Sequence, residues 1–229
     1  EQMGAKRIVA AREMSLEELR EMKKVLPPDT EIEAFVHGAM CMSYSGRCLL
    51  SNFMVGRDAN RGSCTHPCRW KYSLVEEKRP GEYYPVEEDN RGSYIMNSRD
   101  LCMLDKLPDL IDAGISSLKI EGRMKSPFYV ATVVSAYRAA LDEYLEDPDN
   151  YTFQEKWYKE LCKASHREFY HGFYYSKPDS SGQNYSSSDY TREYSFIGVV
   201  RGYEPDSGLT IVEQRNKFCV GEDIEVFGP

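Results

Sequence analysis

Short apolar runs alternate with helical patterns along the first 146 residues, and this alternation limits the fold more than any other feature. Residues 7–11 (RIVAA) read as a buried parallel strand. Ser15 then opens SLEE, with Glu18 three residues on, a capping box for a helix carrying Leu16, Leu19, Met22 and Val25 at helical spacing. Pro27 and Pro28 stop that helix. Residues 31–37 (EIEAFVH) predict a second strand, 93–97 (SYIMN) a third and 117–120 (SLKI) a fourth. Residues 101–113 predict a helix ended by Gly114. Residues 128–144 predict a longer one, with Val130, Val133, Val134, Tyr137 and Leu141 on its buried face. Such alternation is α/β in class and argues for parallel βα units. Four of them make about half of an eight-stranded (βα) barrel of the TIM type, with an open α/β sheet as the alternative.

The pattern changes after residue 146. DPDN at 147–150 reads as a linker, 153–165 as a helical piece, and the Ser-, Asp-, Asn- and Tyr-rich stretch 176–191 as an extended connection. From Tyr194 on, SFIGVVRGY, LTIVEQ and DIEVFG read as short strands of a small C-terminal β module, barrel-like or part of a barrel. The expected organisation is therefore a partial barrel over 1–146, a connection over 147–192 and a β module over 193–229. Glu1 is not an initiator, which predicts a fragment or a processed product. No apolar run approaches the ~18 residues a membrane span needs. The 41% hydrophobic and 29% charged composition predicts a soluble, cytoplasmic chain.

Seven cysteines in a chain without a secretory signal predict cytoplasmic thiols, some of them on a metal, rather than disulfides. Cys41 and Cys48 flank MSYSGR directly after a predicted strand, Cys64 and Cys68 form C-x3-C, and Cys102 follows the next strand. Loops after parallel strands share one face, so these five thiols can converge there. Four thiolates around one centre suit an iron–sulfur cluster or Zn²⁺, and buried structural cysteines are the competing reading. His37 and His66 lie near enough in sequence to ligate, which would favour zinc. Cys162 and Cys219 read as packing residues.

Polar and charged side chains close the other predicted strands: Arg12 and Glu13 the first, Asn97 and Arg99 the third, Glu121 and Arg123 the fourth. At a barrel mouth they would bind an anionic substrate or a base; otherwise they are salt bridges at loop bases. The formal net charge of −8 disfavours a whole-surface nucleic-acid binder and leaves room for a local basic patch. Arg57, Arg61, Arg69 and Lys71 with Trp70 make such a patch, able to hold phosphate and stack a base. The stretch 51–90 has little apolar periodicity and an acidic turn at 87–89, which reads as a functional insertion. A thiol nucleophile would pair Cys41 with His37.

EAFVHGAMCMSYSGRCLLSN (33–52), GRDANRGSCTHPCRWKY (56–72), NSRDLC (97–102) and KIEGRMKS (119–126) together resemble the signature of the U32 family of collagenase-like peptidases. RNKFCVGEDIEVFGP (215–229) is similar to that family's C-terminal β domain. Within the family the chain looks most like members that hydroxylate the tRNA wobble uridine in a prephenate-dependent pathway. The resemblance implies a modified (βα)8 barrel whose second half is present here, closed by a missing N-terminal half-barrel or a second copy. It implies a [4Fe–4S] cluster on Cys41, Cys48, Cys64 and Cys102, with Cys68 and His37 as alternates and zinc as the alternative metal. It also implies tRNA as partner; on that reading the basic segment would hold the RNA, and Glu121, Arg123 and Arg12 would be the catalytic residues of the pocket. Two other readings stand beside it: a metal- or thiol-dependent peptidase, and a non-catalytic zinc- or peptide-binding module at a dimer interface.

Overall fold

The structure is a computed structural model that describes residues 4–41, 43–70, 72–75, 77–81, 84–85, 98–177, 191 and 194–227. Its elements begin with β1 (Arg7–Val9), α1 (Leu16–Val25), β2 (Glu31–Ala39), α2 (Leu50–Val55), β3 (Ser73–Leu74) and β4 (Tyr84–Pro85). They continue with β5 (Asp100–Cys102), α3 (Leu107–Asp112), β6 (Ser117–Ile120), α4 (Pro127–Glu146), α5 (Glu155–Lys163), β7 (Phe169–Tyr170), β8 (Gly198–Glu204) and β9 (Leu209–Gln214). No helix among the described residues is long and apolar enough to cross a membrane.

Five strands form the main sheet around β2. β1 runs parallel to its start, with Arg7 opposite Glu31 and Val9 opposite Glu33. β6 runs parallel from Glu33 to His37, slipping register between Phe35 and His37. β5 runs antiparallel to its end, with Cys102 opposite His37 and Asp100 opposite Ala39, and β7 lies parallel to β5. Glu33 pairs with β1 and β6 at once, and His37 with β5 and β6. A strand has two edges, so β1 and β5 share one edge of β2 and β6 holds the other.

Local chemistry accounts for the helices. The capping box of α1 forms as expected: Ser15 Oγ accepts the Glu18 N–H and the Glu18 carboxylate accepts the Ser15 N–H. Its buried face is Leu16 and Leu19. Ser126 caps α4, Pro127 fills its first turn, and Tyr129, Thr132, Val133, Ala136, Tyr137 and Ala140 are buried. That face differs from the expected one: Val130 and Val134 are exposed. Ala136 and Ala140 allow close approach to the core, and the two valines turn out to water. Ile32 and Val36 of β2, Leu107 and Leu110 of α3, and Trp157 and Leu161 of α5 share one core with this face. Burying each large aliphatic side chain contributes about 1.5–3 kcal/mol.

Three expectations change. The strand expected at 93–97 lies outside the described residues, and a strand stands instead at Asp100–Cys102, so α3 starts only at Leu107. β5 enters from the long insertion rather than from a helical crossover, so nothing forces it parallel. The described strands accordingly form an open mixed sheet instead of a run of parallel barrel strands. At the C-terminus the described residues hold one antiparallel hairpin, β8 with β9. Residues 223–227 of the expected third strand find no pairing partner among the described residues and take no strand form. The hairpin region leans on the helices through Phe128, whose ring stacks on Phe196, and through the Lys163–Glu225 pair.

Tyr137 ties these layers together. Its hydroxyl accepts the Met103 N–H at 3.0 Å and donates to the Val36 carbonyl at 2.7 Å, joining α4 to β2 and to the residue after β5. The Met103 N–H also reaches the Val36 carbonyl directly, at 2.9 Å, so the hydroxyl is the third corner of a buried triangle. Tyr137→Phe removes two buried hydrogen bonds and leaves the direct one, and urea unfolding is expected to show a loss of about 1–3 kcal/mol. A loss within measurement error would mean that the hydroxyl contributes nothing.

Candidate functional site

The C-terminal end of β2 is where the chemistry-bearing residues gather. Gly38 has φ of 115°, and a Cβ there would lie 2.7 Å from Glu121 Cβ and carbonyl oxygen. Only glycine lets the β6 turn come this close. The approach delivers Glu121 to Arg12, 2.8 Å between Oε2 and Nη2, while the Arg12 guanidinium lies 3.6 Å over the Phe35 ring. Glu13 accepts the Ser45 N–H at 2.6 Å and so ties the loop after β2 to the turn after β1. Between them lies a cavity of about 420 Å³ lined by Arg12, Glu13, Met40, Cys41, Tyr44 and Phe173, among others.

Cys41 stands at the rim of that cavity and keeps solvent access. Partial burial of its thiol pushes the pKa above the ordinary value, and neighbouring Cys48 and Cys64 push the same way, against the Ser43 N–H and Arg12. Cys48 and Cys64 thus lie within electrostatic range of Cys41, but the three do not stand close enough to share a metal ion. Cys41 Sγ accepts the Ser43 N–H at 3.4 Å, and Cys64 Sγ accepts the His66 N–H at 3.3 Å. At Cys41 this amide donor opposes the effect of burial without overcoming it. His66 adopts φ of 54°, the one positive value outside glycine among the described residues, as the chain turns from Cys64 to Pro67.

The other expected ligands lie elsewhere. Cys68 is buried, with the Tyr72 side chain near it. Cys102 is also buried, its Sγ 3.9 Å from the Tyr137 hydroxyl. Burial pushes that thiol up to about 12; Leu104 N–H and Tyr137 oppose this, and Asp105 and Cys162 add to it. Cys102 sits opposite His37, four residues before Cys41, roughly 13 Å back along an extended chain. His37 is enclosed by the rings of Tyr129, Tyr137 and Phe169. Its imidazole is driven from 6.5 down to about 3, by burial above all, with Asp100 opposing and Lys125 and His166 adding. It is a neutral core residue with Nδ1 unbonded, and it does not join the three thiols. Among the described residues no three Cys, His, Asp or Glu side chains stand close enough to hold a metal ion. Cys41, Cys48 and Cys64 suit a thiolate site in kind; the four-thiol set that includes Cys102 does not fit this arrangement.

Arg123 leaves the pocket and donates from Nη1 to the Arg61 carbonyl at 2.9 Å, which clamps the insertion three residues before Cys64. A Cβ at Gly62, where φ is 71°, would lie 2.4 Å from Arg123 Nη1. Arg99 pairs with Glu168 at 2.9 Å. Arg57 is exposed, Arg61 faces Asp58 at 3.6 Å, and Trp70 is exposed. Asn97, Lys71 and the Arg69 side chain lie outside the described residues. Cys162 lies near Cys102, and Cys219 is exposed.

Sequence reasoning misses the buried polar group behind the site. Asp100 is buried and accepts the Arg167 N–H at 3.2 Å, with His166 buried beside Phe169. The motif NSRDLC contains Asp100, but its partner lies 67 residues away along the chain. The exposed aromatics Tyr44 and Phe53 carry no signal in the pattern either.

The peptidase family U32 profile matches residues 1–184, and the profile of the family's C-terminal domain matches 192–229. The chain belongs to peptidase family U32. It is 43% identical over 226 residues to "tRNA hydroxylation protein P1" of Bacillus subtilis, covering 99% of this chain and 53% of that protein. It is 37% identical over 272 residues to "tRNA hydroxylation protein P" of Escherichia coli, covering 100% of this chain and 58% of that one. A "Collagenase" of Porphyromonas gingivalis is 31% identical over 238 residues, covering 97% and 55%. The chain thus spans a little over half the length of these relatives. No solved structure matches it.

Three outcomes follow from this geometry. Because the folded pKa of His37 lies below its unfolded value, stability is full above about 6.5 and falls as the pH drops toward about 3. The expected loss is roughly 3–5 kcal/mol, and His37→Phe should flatten that part of the pH–stability curve. An unchanged curve would remove His37 from the account. In thiol alkylation of the native chain at about pH 8.5, Cys41 is expected to react well before Cys102. Gly62→Ala should speed alkylation of Cys64 by displacing the Arg123 clamp, whereas Gly56→Ala, with nothing within 4 Å of its Cβ, should leave that rate alone. Equal rates in the two variants would show that the clamp does not hold Cys64.

Proposed function

We propose that this chain is part of a tRNA-hydroxylating protein and that its working site is the end of β2. The observation that carries the reading is the similarity over the whole chain to proteins named for tRNA hydroxylation, together with Cys41 on the rim of the cavity at the end of β2. Arg57, Arg61 and Trp70, with Arg69 and Lys71, supply phosphate contacts and a stacking ring. Arg12 and Glu121 form a charged pair at the Cys41 cavity and orient what binds there. Prephenate is the co-substrate this reading implies; to bind in the cavity of about 420 Å³ a carboxylate would have to take Arg12 from Glu121, with Glu13 in the same wall.

The iron–sulfur cluster and the half-barrel belong to the same proposal. A cluster would need Cys41, Cys48 and Cys64 to draw closer than they stand here, and Cys102 to leave the Tyr137 pocket as the fourth ligand. The open sheet and the greater length of the relatives support closure of a barrel by further chain or by a second copy. A tRNA substrate puts the proposed site of action in the cytoplasm. The collagenase-named relative favours a peptidase as the second reading. A Cys41–His37 nucleophile does not suit it, because the Cys41 thiol is pushed up and His37 is enclosed.

Anaerobic preparation of the chain should yield iron and sulfide together, and fluorescence anisotropy should show tRNA binding that weakens with salt at a slope set by about four phosphate contacts. Stoichiometric zinc without sulfide would point to the zinc-binding reading. Peptide cleavage without tRNA binding would overturn the proposal in favour of the peptidase.

A further inference from the structure

The cavity at the end of β2 has one wall that is built differently from the rest. Arg12 and Glu13 come from the turn after β1 and Phe173 from the stretch after β7, whereas Cys41, Ser43, Tyr44 and Ser45 belong to one loop. Both ends of that loop are fixed. β2 stops at Ala39 inside the main sheet, and α2 begins at Leu50. There Ser51 is fully buried, and its hydroxyl accepts the Thr65 N–H at 3.1 Å.

Between those ends the loop has little hold on the body of the protein. Residues 43–48 are exposed or half-buried. Ser43 N–H turns back to Cys41 Sγ at 3.4 Å, and Arg47 N–H to the Tyr44 carbonyl at 3.1 Å, both within the loop. Among the described residues, one hydrogen bond ties 43–48 to another element: Ser45 N–H donates to Glu13 Oε1 at 2.6 Å. Gly46 follows with φ of 73°, and a Cβ there would meet nothing within 4 Å. A glycine in open space beside a single tether lets a loop change its dihedrals at low cost.

The Phe173 wall is held in the opposite way. Tyr174, next to it, donates to the Phe35 carbonyl at 2.6 Å, and its own carbonyl accepts the Leu16 N–H at 3.0 Å. The Tyr175 hydroxyl adds a bond to Asp109. One wall is therefore anchored to three elements, and the other hangs on one carboxylate. Glu13 lines the cavity as well, so a group that donates a hydrogen bond to it from inside competes with Ser45 N–H.

We propose that residues 43–48 form a lid on this cavity and that Glu13 is its latch, a positioning residue that holds the lid through Ser45 N–H. The inference concerns entry to the site and stands whichever reaction runs there.

The test needs neither RNA nor metal. Hydrogen–deuterium exchange reads the Ser45 amide, and iodoacetamide with peptide mass spectrometry reads each thiol at one pH. Glu13→Ala is expected to speed exchange at Ser45 by roughly 10- to 100-fold, because a hydrogen bond to a charged group is lost. Cys48, half-buried on the lid, should then be alkylated faster by up to the same factor, while Cys64 and the buried Cys102 keep their rates. Glu13→Gln, whose amide oxygen still accepts the Ser45 N–H, should recover most of the protection. Unchanged exchange at Ser45 in Glu13→Ala overturns the latch. Faster exchange with an unchanged Cys48 rate overturns the lid. Equal acceleration of Cys48 and Cys102 would show that the bond serves the whole fold, and that result overturns the proposal too.

Discussion

Strand β2 is the constraint on which the rest depends, because its two edges are taken by three partners. β1 and β5 divide one edge and β6 holds the other, so the end of β2 is the meeting point of the turn after β1, the turn after β6 and the loop to Cys41. The register slip between Phe35 and His37 and the missing side chain at Gly38 let Glu121 close on β2 and reach Arg12. A side chain at position 38 would force β6 away, and the Arg12–Glu121 pair and the Arg123 clamp sit on that same turn. Backbone geometry at one residue thus governs two contacts that shape the site.

What is legible in the sequence is what short-range chemistry decides. The α1 capping box, β2, β6 and the position of α4 are written in adjacent residues, and they stand where the pattern puts them. What is not legible depends on partners far along the chain. The buried face of α4 departs from expectation because apolar valines on a helix do not say which way the core lies. The last expected strand needs a pairing partner, and local pattern does not supply one.

The cysteines divide along the same line. Cys41 and Cys48 sit on one loop after β2, so their proximity follows from sequence; Cys64 comes within electrostatic range of Cys41 because the insertion folds back and is clamped by Arg123. Placing Cys102 at the same mouth assumes that its strand runs parallel to β2. An antiparallel β5 reverses that, leaving the thiol beside Tyr137 and opposite His37. Strand direction is a tertiary property, and a spacing pattern carries no information about it.

Charge is sorted across the molecule in a way that suits this arrangement. In the core, burial keeps His37 neutral and Cys102 protonated, so these groups behind the site carry no charge. At the end of β2, Arg12 and Glu121 are charged but paired. The excess positive charge lies in residues 41–72, while the acidic excess begins in the second part of the insertion and is spread over the rest of the chain. At physiological ionic strength charges are screened beyond about 8 Å, so an approaching phosphate responds to the side chains nearest it and not to the total of −8. An acidic protein can therefore present a cationic surface to RNA, provided that its basic residues are held together on one segment, as they are between Cys41 and Tyr72.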